Sequence, residues 1–157
     1  MKKLILALAA VAFIAFGCKK SSNSSSSGAC MSAKVNGQGF TASSTYGLFS
    51  VSEGELSVFG ISASGIDSTG IEVDIWDTLK VGEPGPFAGG EGVAYATNQG
   101  VDFYGDEVDG HGLVTLSAWD TTQHTIAGTF SGVLVDNNGD SLSVTSGTFN
   151  TTYTEIP

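Results

Sequence analysis

Ile71-Glu72-Val73-Asp74-Ile75-Trp76-Asp77 alternates apolar and polar side chains with a period of two. In an extended chain successive side chains point to opposite faces. Ile71, Val73 and Ile75 therefore form one apolar row, and Glu72, Asp74 and Trp76 form the other. Val114, Leu116 and Ala118 repeat the pattern, with Thr115, Ser117 and Trp119 on the polar side. Further strands are predicted at 31–35, 40–46, 48–52, 56–63, 92–97, 101–104, 125–135 and 141–154, bounded by Gly, Asn, Asp and Ser. After residue 30 no window shows a 3.6-residue apolar period, and the chain's 22 glycines disfavour helix interiors. The expected fold is all-β: an antiparallel β-sandwich of about 8–10 short strands, with a small β-barrel as the alternative.

The last two strands can be paired from sequence alone. Asn138-Gly139 is a favoured pair for a two-residue type I′ turn. Counting outward sets Val135 opposite Leu142, Val133 opposite Val144, Phe130 opposite Gly147 and Gly128 opposite Phe149. Each Phe ring then covers a glycine on the facing strand, an arrangement that pins register. The two sets fall on opposite faces, so a β-bulge is expected near Ser131-Gly132 or Ser146-Gly147.

Working back toward the amino end, the character of the chain changes. Met1-Lys2-Lys3 is a positive start, and Leu4 to Phe16 is an unbroken apolar run. That run suits a signal-peptide core and falls well short of the ~20 residues that span a bilayer. Ala15-Phe16-Gly17-Cys18 follows and resembles the lipobox of bacterial lipoproteins, although Ala15 stands where a branched residue is common. Residues 1–17 are thus expected to be a lipoprotein signal peptide. Residues 18–29 are expected to be a lipidated Cys18 with a Ser-rich tether, and 30–157 the folded domain. As flexible coil the tether spans roughly 18 Å. Three acyl chains of palmitate size would anchor such a protein durably, since each buried CH₂ contributes about 0.8 kcal/mol. Cys30 is then left as a lone thiol.

Charge narrows the partners. All 16 acidic residues lie between Glu53 and Glu155, whereas Lys2, Lys3, Lys19 and Lys20 precede the domain. Residues 30–157 hold two lysines (Lys34 and Lys80) against those 16 acids, a balance of −14. Such a domain repels phosphate backbones and anionic lipid headgroups, which argues against nucleic acid and against a basic membrane patch. The membrane is expected as a partner through the lipid anchor alone.

Met31-Ser32-Ala33-Lys34-Val35-Asn36-Gly37 resembles the opening of small uncharacterised lipoproteins of Bacteroidota. The closing stretch, His124 to Gly132, then Asn138-Gly139-Asp140 and Thr145 to Phe149, is similar to theirs as well. The resemblance implies an all-β extracytoplasmic domain and carries over no catalytic residue.

Candidate sites compete with plainer structural roles. Asp136, Asn138 and Asp140 offer oxygens at the opening spacing of a calcium loop, but the glycine comes too early and no twelfth-position Glu follows. A hairpin turn demands the same residues, so the turn is preferred and no cofactor is expected. Asp102, Asp106, Glu107 and Asp109, with Tyr104 and His111, form an acidic stretch without recognisable ligand spacing, expected to be a solvated loop. His111 and His124 are expected at the surface or in turns. Gly85 to Gly92 lacks the Lys-Ser/Thr of a phosphate loop and is expected to be a mobile connection. Asp67-Ser68-Thr69, Asp77-Thr78-Leu79, Asp120-Thr121-Thr122 and Asp140-Ser141-Leu142 resemble the O-glycosylation acceptors of Bacteroidota, and are also ordinary turn chemistry. Trp76 and Trp119, both assigned to polar faces, suggest a platform for stacking sugar rings, against the plainer expectation that they cap the core. No nucleophile elbow or comparable motif is present, so no enzymatic activity is expected. The expectation is a non-catalytic lipoprotein at the outer membrane, periplasmic side, binding a glycan or protein ligand or serving a structural role. The alternative is a glycan-binding accessory lipoprotein using Trp76 and Trp119.

Overall fold

The computed structural model describes residues 30–64, 67–87, 92–98, 102–105 and 110–157. Cys18, its signal peptide and the tether lie outside them, as do Asp106, Glu107 and Asp109. Eleven strands are present among the described residues: β1 (Cys30–Val35), β2 (Gln38–Thr41), β3 (Ser44–Ser50), β4 (Glu55–Ser64), β5 (Asp67–Trp76), β6 (Pro84–Pro86), β7 (Gly92–Thr97), β8 (Asp102–Tyr104), β9 (His111–Asp120), β10 (Thr125–Val135) and β11 (Ser141–Ile156). The fold is all-β.

Pairing runs β2-β1-β11-β3-β4-β5-β7-β8-β10-β9-β6, and β11 also pairs with β10. That extra pairing closes a ring through β11, β3, β4, β5, β7, β8 and β10. Two halves result: β2-β1-β11-β10-β9-β6 and β3-β4-β5-β7-β8. They meet at two corners, where Tyr153–Ile156 run beside Gly47–Ser50 and where Val135 pairs with Tyr104. Between the corners the halves face each other. Met31 of β1 lies against Gly60 of β4, where an added Cβ would sit 2.5 Å from the Met31 sulfur. The fold is therefore sandwich-like, with its sheet continuous around the edges like a flattened barrel.

Two expectations need correction. The strand count exceeds ten because Pro84–Pro86, which runs into the stretch from Gly85 to Gly92 expected to be a mobile connection, pairs with Leu113–Thr115 of β9. The pairing is also not wholly antiparallel: β11 and β3 are parallel. A hydrophobic period reports which face is buried, not the direction of a neighbour.

One apolar cluster fills the interior. Ile71, Val73 and Ile75 are each at most 1% exposed, joined by Leu56, Val58, Val114, Leu116, Ile126, Leu134 and Val144. Phe87 follows β6 and is equally buried, filling a slot where Gly105, Gly112 and Gly132 present no side chain.

The β10–β11 hairpin keeps half of its expected register. Phe130 faces Gly147 and Gly128 faces Phe149, but Val135 faces Ser141 and Leu134 faces Leu142. The cause is the turn. Gly139 adopts φ +86° while Asn138 does not enter the left-handed region, and the Gly139 amide donates to the Asp136 carbonyl. This is a three-residue turn, so the pairing shifts by one. The type I′ turn forms at Asn36-Gly37 instead, with φ of 47° and 79°. The expected bulge restores the lower register. Between the Phe130–Gly147 and Gly132–Val144 pairs, β11 contributes one extra residue, and it does so against β1 also. Ser146 at φ 53° marks that point.

Candidate binding face

Residues paired across neighbouring strands project from the same face of a sheet. On β3-β4-β5-β7-β8 the inward residues are the core set, so the alternate residues form the outer face. One row runs Tyr46, Phe59, Glu72, Ala94, Tyr104. A second runs Leu48, Ser57, Asp74, Gly92, and a third runs Ser50, Glu55, Trp76. A fourth runs Ser44, Ile61, Gly70, Ala96, Asp102.

This face is unusual in what it exposes. Tyr46, Leu48, Ile61 and Trp76 are all among the exposed large apolar side chains, at 36–42%. Tyr46 and Phe59 stack on each other, with ring centroids 5.0 Å apart and planes 21° apart. Ala94, Gly92, Gly70 and Ala96 lower the floor beside Glu72 and Asp74. At one end a shallow hollow of ≈ 140 Å³ is lined by Ile61, Thr69, Gly70, Ala96 and Asn98 among others.

Carboxylates sit among these apolar groups. Ser57 donates to Asp74 Oδ1 at 2.7 Å. Burial raises the Glu72 carboxyl above its ordinary range; a hydrogen bond from Ser57 partly offsets this and the charge of Glu55 adds to it. Glu55 is likewise raised, by burial first and then by the charges of Asp74 and Glu53. Crowding of like charges beside apolar surface disfavours the ionised forms.

The two tryptophans do not share this face. Trp76 is exposed on it, as expected. Trp119 is turned inward, in correction of its expected outward placement. Between the Ala127–Ala118 and Gly128–Leu116 pairs β9 carries an extra residue, which reverses the alternation after Leu116. Ala118 is consequently exposed, and Trp119 packs against the core with Phe49 at 6.2 Å and donates to the Tyr153 hydroxyl at 3.2 Å. The paired-tryptophan platform is not assembled.

Asp136 serves its own turn. Its Oδ1 accepts from the amides of Asn138 and Asp140, at 2.9 and 2.8 Å, and its Oδ2 accepts from the Asn138 side chain at 3.1 Å. Burial alone would raise this carboxyl; hydrogen bonds from Asp140, Asn138 and Gly139 outweigh it and hold it below 3.8. Among the described residues no group of three His, Cys, Asp or Glu could hold a metal. A depressed folded-state pKa contributes stability that is present above the unfolded value and lost as pH falls through the folded one. Asp136→Ala should therefore lower the melting midpoint at pH 7, and the deficit should shrink as pH falls below about 3.8. Thermal melts of both proteins across that range check it; a deficit that does not vary with pH would mean the carboxylate charge is irrelevant to the turn.

Other expected site residues are dispersed. His124 sits in a turn at φ 50°, its Nδ1 3.8 Å from Glu155, and His111 opens β9. Asp120 Oδ1 accepts from the Thr122 and Gln123 amides, so Asp120-Thr121-Thr122 is turn chemistry. Cys30, expected as a lone thiol, is disulfide-bonded, and its partner lies outside the described residues.

The sequence marks neither Tyr46 nor Phe59 as a site residue, and it sets Tyr104 in the acidic stretch rather than on a sheet face. Their alternation on predicted strands was visible, but nothing in the sequence says that β3, β4, β5, β7 and β8 lie side by side. No family model, curated protein or solved structure matches the chain.

Proposed function

We propose that this chain is a lipid-anchored, non-catalytic binding module of the cell envelope, at the periplasmic side of the outer membrane. The observation that carries the binding role is the outer face of β3-β4-β5-β7-β8. Isolated exposed apolar residues are normal, but Tyr46, Phe59, Leu48, Ile61 and Trp76 gathered on one sheet face and interleaved with carboxylates mark an interaction surface. The anchoring role rests on the apolar run ending at Gly17-Cys18, followed by Ser-rich sequence that cannot bury itself.

Thioether and disulfide exclude each other at one sulfur, and the chain has only two cysteines. The disulfide of Cys30 and acylation of Cys18 are therefore competing fates within one chain, and the anchor reading takes the acylated one. Mass spectrometry of the native amino-terminal peptide is expected to show an acylated Cys18, and Cys18→Ala should abolish membrane fractionation of the mature protein. A mature product joining Cys18 to Cys30, or a Cys18→Ala protein still in the membrane fraction, would refute the anchor. The same mass, if it equals the lipidated polypeptide alone, removes the Asp-Ser/Thr glycosylation idea.

A second reading, a glycan-binding accessory lipoprotein, is favoured by Trp76 lying beside Glu55 and near Asp74. It no longer draws on Trp119. Retention of glycans by the intact protein and loss of retention in Trp76→Ala would support it.

A further inference from the structure

We infer that the outer face of β3-β4-β5-β7-β8 docks a cationic, extended peptide segment of a partner protein, with lysine or arginine at alternate positions. The inference rests on the binding-module reading and names its ligand class. Charge complementarity is the first argument. β3, β4, β5, β7 and β8 contain no Lys, Arg or His, whereas Glu55, Glu72, Asp74 and Asp102 all belong to the outer rows. Self-repulsion there is real, since Glu55 is raised in part by Asp74 and Glu53. An approaching cation relieves that repulsion, while a neutral ligand leaves it in place.

Spacing is the second argument. Glu72, Asp74 and Trp76 are alternate residues of one strand, so they recur every ~7 Å. An extended peptide lying along β5 presents every second side chain at the same interval. Lysine or arginine stems then cover apolar surface while their charged ends reach the carboxylates. Trp76 and the Tyr46–Phe59 stack supply ring faces that attract the same cations. Ala94 and Gly92, beside Glu72 and Asp74, leave room for the backbone of such a peptide. The balance of −14 over residues 30–157 adds long-range steering toward a basic partner.

The test uses full-length processed protein in nonionic detergent and a fluorescein-labelled heptapeptide with lysine at alternate positions and leucine between. Its glutamine-for-lysine counterpart is the control. The lysine peptide should bind at least about tenfold more tightly than the control, and raising NaCl from about 50 to about 500 mM should erase most of that difference. A Glu55→Gln, Glu72→Gln, Asp74→Asn protein should lose the difference while melting no lower than the parent, because neutralising these side chains removes repulsion. Equal binding of the two peptides, or full retention of lysine-peptide binding by the neutralised protein, overturns the proposal. If a neutral oligosaccharide such as cellohexaose binds in a Trp76-dependent way and the lysine peptide does not, the cationic partner falls and the binding module stands. If neither ligand binds, both fall.

Discussion

Phe87→Ala is expected to destabilise the domain by about 3–5 kcal/mol, the usual range for removing a buried aromatic ring. Phe87 is 1% exposed, and its ring occupies space that Gly105, Gly112 and Gly132 leave empty. These glycines lie just after β8, on β9 and on β10. Their lack of side chains decides the magnitude. When a ring is lost among leucines, neighbouring side chains can partly collapse into the gap; here much of the wall is bare backbone held by sheet hydrogen bonds. The cavity persists, and with it the upper part of the range. Denaturant unfolding should show the change as a lower midpoint at unchanged slope. Phe87→Leu, which refills most of the volume, should recover a large part of the loss. A Phe87→Ala cost below about 1 kcal/mol would mean the slot closes readily.

Gly147→Ala and Gly128→Ala should each cost at least about 1–3 kcal/mol through overpacking. A Cβ on Gly147 would stand 2.5 Å from both the Phe130 ring and the Phe130 carbonyl oxygen. On Gly128 it would meet the Phe149 ring at 2.6 Å and the Thr115 carbonyl at 2.7 Å. Ring rotation can relieve the first kind of contact but not the second, because the carbonyls belong to paired strands. Phe130→Leu should therefore rescue Gly147→Ala only in part. Chemical denaturation of the single and double variants measures this; full rescue would show that the backbone contact yields easily.

That Phe–Gly reciprocity is legible in the sequence, as is the buried row Ile71, Val73, Ile75. Both depend on alternation within a strand, which the sequence states directly. The need for a bulge near Ser131-Gly132 or Ser146-Gly147 is legible too, because the two apolar rows demand opposite faces; the structure puts it at Ser146. Trp119 departs from its expected face for a related reason: its bulge lies where Ser117 and Ala118 are small enough to fit either side. The 138–139 turn departs from the type I′ expectation because Asp136 captures the Asn138 and Asp140 amides, a side-chain effect that outweighs dipeptide preference. The candidate face was the least legible feature. Its rows cross five strands whose order depends on a corner pairing, parallel β11 with β3, that no local pattern announces.

Among the described residues, the two ends of the strand series differ in one respect that bears on edge-to-edge association. β6 terminates one end with Pro84 and Pro86, which have no N–H to offer an incoming chain. β2 terminates the other with Gln38–Thr41, which contains no proline. Growth of a stacked assembly requires a sticky margin at both ends of every copy. With one end blocked, two copies that meet through β2 present only blunt margins outward, and accretion by edge addition stops at a pair.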